Sequence, residues 1–150
     1  MPILVRKIRY EELSELLVLY RYLHPEDPEV PLEEFEQVWG QIYQDPNLQY
    51  VVLEENGKLV SSCTVAIIRN LTRRLRPYAL IENVITHPDA RGKGYGTAVL
   101  REAAAIAGEN NCYKVMLLTG SNNQKTLDFY EKAGFRKGVK TGFIMPLDGE

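Results

Sequence analysis

Cysteine and histidine are scarce in this sequence of 150 residues, which has two of each: Cys63, Cys112, His24 and His87. Without a CxxC pair or a His/Cys cluster, the chain offers neither a disulfide framework nor a plausible set of metal ligands, so no metal is expected. Both cysteines lie far apart in apolar surroundings and read as reduced core residues. An excess of charge of one sign is also missing. A net charge of −2 gives no general attraction to nucleic acid or to an anionic membrane, so an anionic ligand must be met by local basic groups. No apolar run is long enough to span a bilayer, and the apolar stretch after Met1 is too short for a signal peptide. A soluble, cytoplasmic protein is therefore expected. Repeats, low-complexity tracts and linkers are absent too, and the length suits one domain, 1–150, with a single core.

What is present centres on Arg91-Gly92-Lys93-Gly94-Tyr95-Gly96. An apolar run, Ala79 to Thr86, precedes it, and Thr97 to Ile106 reads as a helix behind it. The order is strand, glycine-rich loop, helix. The first N–H groups of a helix lack partners and the aligned peptide dipoles make that end partly positive, which suits a phosphate. Glycine lets the main chain take positive φ and approach such a ligand, and Arg91 and Lys93 add charge. A Walker loop needs Ser or Thr after Gly-Lys, but Gly94 follows Lys93. A dinucleotide fingerprint starting at Gly92 needs a third glycine where Thr97 stands. The pattern that fits is R-x-x-G-x-G, with a plain glycine turn as the bland alternative.

The remaining elements follow from period and punctuation. Ile3 to Ile8 predicts a strand. Leu13, Leu16, Leu17 and Tyr20 mark one face of a helix over 11–22. A second helix begins with Pro31 in its first turn and buries Phe35, Trp39 and Ile42. Gln49 to Glu54 and Lys58 to Arg69 flank Asn56-Gly57, a strong hairpin signal. The loop 70–77 carries Arg73, Arg74 and Arg76, read as a solvated basic loop or as a rim that receives an anion. Gly108 reads as a helix stop, and Lys114 to Thr119 as a strand parallel to its neighbour across the crossover helix. A helix capped from Ser121-Asn122-Asn123 runs to Lys132 and ends at Gly134. Phe135 to Val139 and Thr141 to Pro146 predict a final strand pair. The expected order is β-α-α-β-β-β-α-β-α-β-β, an α/β (α+β) fold with a mixed sheet.

Asn123 to Phe135, an Asn followed by a Tyr-Glu-Lys-x-Gly-Phe ending, supplies a second signature downstream of the first. Together the two stretches resemble the GCN5-related N-acetyltransferases, the GNAT superfamily, over about the last half of the chain. Glu82-Asn83, Arg91 to Gly96, Asn111 to Lys114 and Phe129 to Phe135 are also similar to glucosamine-phosphate N-acetyltransferases. That narrower likeness departs at Asn83, where those enzymes tend to carry Asp, and in the longer Thr119 to Lys125 connection.

The resemblance implies a mostly antiparallel central sheet with helices on both faces and a splayed parallel pair, its fourth and fifth strands. It implies acetyl-CoA as acyl donor, its pantetheine arm against the main chain of Val84, Ile85 and Thr86. The pyrophosphate would lie on the amides of Arg91, Gly92, Lys93, Gly94, Tyr95, Gly96 and Thr97. Asn123 would help to hold the cofactor arm, and the Tyr130 hydroxyl would approach the thioester sulfur. Glu82 matches a position where several members carry a base, and a homodimer is a common arrangement.

Elementary chemistry supports these roles. Deprotonating a lysine-like amine at pH 7 costs roughly 4 to 5 kcal/mol, so a base is useful. Burial between Ile81 and Val84 would raise the Glu82 pKa towards a working range. The oxyanion needs an amide donor, for which the Val84 N–H is the candidate, and the leaving thiolate needs an acid, for which Tyr130 is. Plainer roles stand beside these: a core aromatic for Tyr130, a structural carboxylate paired with an arginine for Glu82, a helix cap for Asn123. Cys112 has no histidine partner and is discounted as a nucleophile. The expected acceptor is a small-molecule primary amine attacked directly in a ternary complex. Protein lysine or N-terminal acetylation, or a non-catalytic acyl-CoA-binding module, are the alternatives.

Overall fold

The structure, a computed structural model, describes residues 2–148. It divides into two compact units, residues 1–117 and 118–150. The first holds one five-stranded sheet in the order β1-β2-β3-β4-β5. Its strands are β1 (Ile3–Lys7), β2 (Leu48–Glu55), β3 (Lys58–Ile68), β4 (Tyr78–Thr86) and β5 (Val115–Leu117). The first four pair antiparallel, and β4 and β5 are parallel. The turn between β2 and β3 is the expected Asn-Gly, with φ of 53° at Asn56 and 79° at Gly57, as a two-residue hairpin loop demands.

Helices cover both faces of this sheet. On one, α1 (Leu13–Leu23) and α2 (Leu32–Gln44) bury Leu13, Leu16, Leu19 and Trp39 against Ile8, Val52, Leu59 and Ile85, with Phe35 and Ile42 partly buried around them. Each such aliphatic side chain contributes about 2 kcal/mol of transfer free energy. On the other face lies α3 (Tyr95–Glu109), whose Val99 carbonyl accepts from the Cys63 thiol at 3.6 Å. Burial pushes that thiol up to about 12, so Cys63 is an inert core residue.

Sequence expectations need correction in two places on this frame. Gly108 does not stop α3, which continues to Glu109. The stop comes from Asn111 at φ 62°, because asparagine tolerates the left-handed conformation, while the Asn110 side chain donates to the Ile106 carbonyl at 2.8 Å. The final strand pair is not formed either. In the second unit the only regular element among the described residues is α4 (Gln124–Lys132). Phe143 and Ile144 are 90% and 78% exposed, and the chain at 135–148 contains no strand. Alternating apolar residues make a strand only where a ladder partner accepts their backbone groups.

Arg6 of β1 ties the start of α1 to the sheet. Its guanidinium donates to both carboxylate oxygens of Glu12, at 2.8 and 2.7 Å, and to Glu54 of β2 at 2.8 Å. Arg6, with the Arg9 N–H, holds the Glu12 carboxyl below its usual range. The stability this supplies is complete above the pKa of the unfolded carboxyl, about 4.3, and is lost as pH falls through the lower folded value. Urea midpoints measured from pH 7 to pH 2 should therefore fall in acid, and Glu12→Gln should start lower at pH 7 and lose less on acidification.

Candidate active site

Strand β4 is interrupted at one point. Ser62 of β3 faces Ile85 and Thr64 faces Glu82, so Cys63 alone opposes two residues, Asn83 and Val84. This is a β-bulge, and Asn83 sits in it at φ 53°. Parallel pairing with β5 stops just before it, at Ile81↔Leu117. From Glu82 to Thr86, β4 runs on with its outer edge beyond the reach of that ladder.

The main chain of that edge has a definite direction. The His87 N–H donates to the Val60 carbonyl at 2.7 Å, so two-residue alternation turns Ile85 towards β3 as well and aims the amide groups of Val84 and Thr86 outward. The Ile85 side chain is buried in the α1-side core. Thr86 is fixed by its side chain, which hydrogen-bonds to the Ser61 hydroxyl at 2.8 Å. Ser61 in turn donates to the Ile85 carbonyl at 3.2 Å.

Beyond β4 the chain passes through a short turn, Pro88–Ala90, into the glycine loop. Gly92 and Gly94 adopt φ of 79° and 82°, conformations that L side chains rarely take, and the space above both is open. Gly94 is the N-cap of α3 and no side chain caps the helix, whose first turn has no acidic residue. Its leading N–H groups are thus left for an external acceptor, on the half-buried backbone of Gly96 and Thr97. A pyrophosphate fits this cradle, and an extended amide-bearing arm fits the outward groups of Val84 and Thr86.

The two basic side chains of the loop are exposed, but each has a partner within the protein. Arg91 donates from Nε to the Thr86 carbonyl at 3.2 Å. Lys93 Nζ lies 3.5 Å from a Glu55 carboxylate oxygen, to which the buried Tyr95 also donates its hydroxyl. Tyr95, and then Lys93, hold the Glu55 carboxyl below its usual range. Glu55, at the end of β2, is thereby tied to the glycine loop. Its partners are 38 and 40 positions away, and no local pattern announces them.

Glu82 differs from expectation. Despite its apolar neighbours it is exposed: it keeps its register with Thr64 just ahead of the bulge, at the point where the β5 ladder has ended. The burial expected for it is absent. The arginines of loop 70–77 divide. Arg76 donates to the carbonyls of Asn111 and Cys112, both at 3.1 Å, and Arg73 lies over the Tyr113 ring at 5.5 Å. Both thus bind the loop to the turn after α3.

In the second unit, Asn123 is a helix cap: its side-chain oxygen accepts from the Lys125 N–H at 2.8 Å. Tyr130 is half-buried, with ring centroids 4.9 Å from Phe129 and 6.3 Å from Phe135. Gly134, at φ 108°, ends the helix as anticipated. Among the described residues no group of three acidic, histidine or cysteine side chains could hold a metal ion, and no helix is long and apolar enough to cross a membrane.

Known proteins share this fold. A solved protein of Agrobacterium tumefaciens str. C58, whose acetyltransferase assignment is itself provisional, is 45% identical. The match covers 95% of this chain and 99% of that one, with a TM-score of 0.91. The crystal structure of glucosamine-6-phosphate N-acetyltransferase from Arabidopsis thaliana is 25% identical over 97% of this chain and all of its own, with a TM-score of 0.81. In sequence, a Trypanosoma brucei brucei glucosamine 6-phosphate N-acetyltransferase is 37% identical over 55% of this chain, and the chain spans only 54% of that relative's length. Streptothricin acetyltransferase A of Bacillus subtilis (strain 168) is 33% identical, over 71% of this chain and 64% of its own. Residues 11–135 match the family profile described as the acetyltransferase (GNAT) family, and the chain belongs to that family.

Proposed function

We propose that the protein transfers an acetyl group from acetyl-CoA to a primary amine of a small molecule, by direct attack in a ternary complex. The observation that carries this reading is the continuity of the free β4 edge with the uncapped start of α3. One ligand with an extended amide arm and a pyrophosphate satisfies both. Relatives named for glucosamine 6-phosphate and streptothricin support a small acceptor.

Bound acetyl-CoA supplies an activated acyl group, and the chain supplies the rest. The outward N–H of Val84 donates to the carbonyl oxygen as charge gathers there. Glu82, exposed beside it, takes the proton of the attacking amine directly or through water. The main chain of Thr86 pairs with the arm, and the amides from Arg91 to Thr97 bind the pyrophosphate. By the family resemblance, Asn123 would help to hold the arm and the Tyr130 hydroxyl would protonate the departing thiolate.

A screen of amino sugars, aminoglycosides and other small amines for acetyl-CoA-dependent thiol release should find a saturable acceptor. Peptides with free lysines or N-termini serve as the contrasting set, and activity confined to them would overturn the choice of acceptor. Tyr130→Phe and Glu82→Gln should each lower kcat by about 10²-fold while the Kd for CoA, read by calorimetry, stays within a few-fold. If neither change slows transfer while CoA still binds, both assignments are wrong. Gly94→Ala forces an alanine into left-handed φ at a cost of roughly 1 to 2 kcal/mol. CoA affinity should fall about tenfold with the circular dichroism spectrum unchanged, and an unaltered Kd would remove the loop from the cofactor site.

A further inference from the structure

Two hydroxyls on the α1 face of the sheet stand out because they are buried and unmet. Tyr20 Oη and Thr64 Oγ1 are both closed off from solvent, and neither makes a hydrogen bond with any described residue. They come from different elements, α1 and β3. A buried polar group without a partner is costly, and the great majority in folded proteins are satisfied by protein or by ordered water.

The neighbours of this pair are specific. Thr64 is the register partner of Glu82 on β4 and of Tyr50 on β2, so the three side chains form one row across three strands on one face. The Tyr20 hydroxyl lies beside Thr64 and beside the side chain of Asn83, and the Tyr50 hydroxyl beside Thr64. Four polar side chains therefore converge under the bulge, one of them Asn83 itself. Where buried polar groups lie side by side without the geometry of a direct bond, a water can bridge them, and a buried water takes two to four such partners.

Resting on the acetyltransferase reading above, we propose that Tyr20 and Thr64 are positioning residues. Through a bridging water their hydroxyls join the Asn83 side chain and fix the β4 corner from which Glu82 and the Val84 N–H are presented. Neither touches the reacting atoms. Their effect is geometric, and a small misplacement of a catalytic donor is enough to slow a reaction severely.

The test uses Tyr20→Phe, Thr64→Val, the double variant and Thr64→Ser in the full-length protein. Each single loss should lower kcat about tenfold with KM for acetyl-CoA within twofold. The double variant should be no slower than the worse single one, because both act through one water, and Thr64→Ser should keep wild-type kcat. The thermal midpoint of Tyr20→Phe should drop by a few degrees. A rise would mean that the hydroxyl was unsatisfied and the bridge does not exist. Near wild-type kcat in folded Tyr20→Phe and Thr64→Val, or losses that multiply in the double variant, would overturn the proposal. Amide exchange from Asn83 to His87 reads the corner without turnover and should quicken in both single variants. If the wild type acetylates nothing while exchange still quickens, only the functional reading fails. If exchange is unchanged, the positioning role fails whatever the wild type does.

Discussion

The site depends on a mismatch of one residue. Because Cys63 opposes both Asn83 and Val84, β4 cannot continue straight, and the outer ladder ends at Ile81. The chemistry proposed for β4 lies past that point: the outward amides of Val84 and Thr86, the exposed Glu82, and the turn that delivers the chain to the glycine loop. Holding a non-glycine residue at φ 53° costs on the order of 1 to 2 kcal/mol, so the surroundings must over-determine it. They do so with polar pins rather than apolar bulk alone. Ser61 and Ser62 are fully buried, and their hydroxyls bind the Ile85 and Val51 carbonyls. Slipping β4 back into regular register would cost Ser61 its Ile85 and Thr86 partners, while Ser62 ties β3 to β2.

The glycine loop obeys a second economy of charge. Lys93 is already paired with Glu55, and Arg91 already donates to the Thr86 carbonyl. What remains unsatisfied at the loop is the start of α3, where neither a side-chain cap nor an acidic residue occupies the first turn. In the proposed function, attraction for a pyrophosphate comes chiefly from fixed backbone dipoles, which need no reorganisation. A chain of net charge −2 can in this way hold a polyanion without a broad basic surface.

Much of this was legible in the sequence, for identifiable reasons. The Asn56-Gly57 hairpin, the glycine loop at a helix start and the Asn123 cap are local rules, each satisfied within a few residues, and each stands as read. The faces of α1 and α2 follow from period alone. What escaped depends on partners distant in sequence. Apolar flanks suggested a buried Glu82, but it is exposed just past the end of the β5 ladder, and where that ladder ends depends on a strand more than 30 residues away. Gly108 looked like a stop because glycine usually is one, yet Asn111 supplied the left-handed residue instead. Val139, Phe143, Ile144 and Met145 have strand composition, and composition without a ladder left them exposed.

Tyr20 shows where sequence periodicity loses information. At i+7 from Leu13 it occupies a core position of α1, and by pattern it is one more apolar contact. Thr64 likewise sits among Ser62, Cys63 and Val65 as an ordinary strand residue. Their hydroxyls are what distinguish them, and a hydroxyl becomes informative only once its burial and its want of a partner are known. A core that needed only apolar area would gain by carrying Phe and Val at these two positions, since removing both unmet groups together is close to neutral or stabilising. Two such groups from separate elements, meeting under the one bent corner of β4, make a requirement of that corner a better explanation than packing.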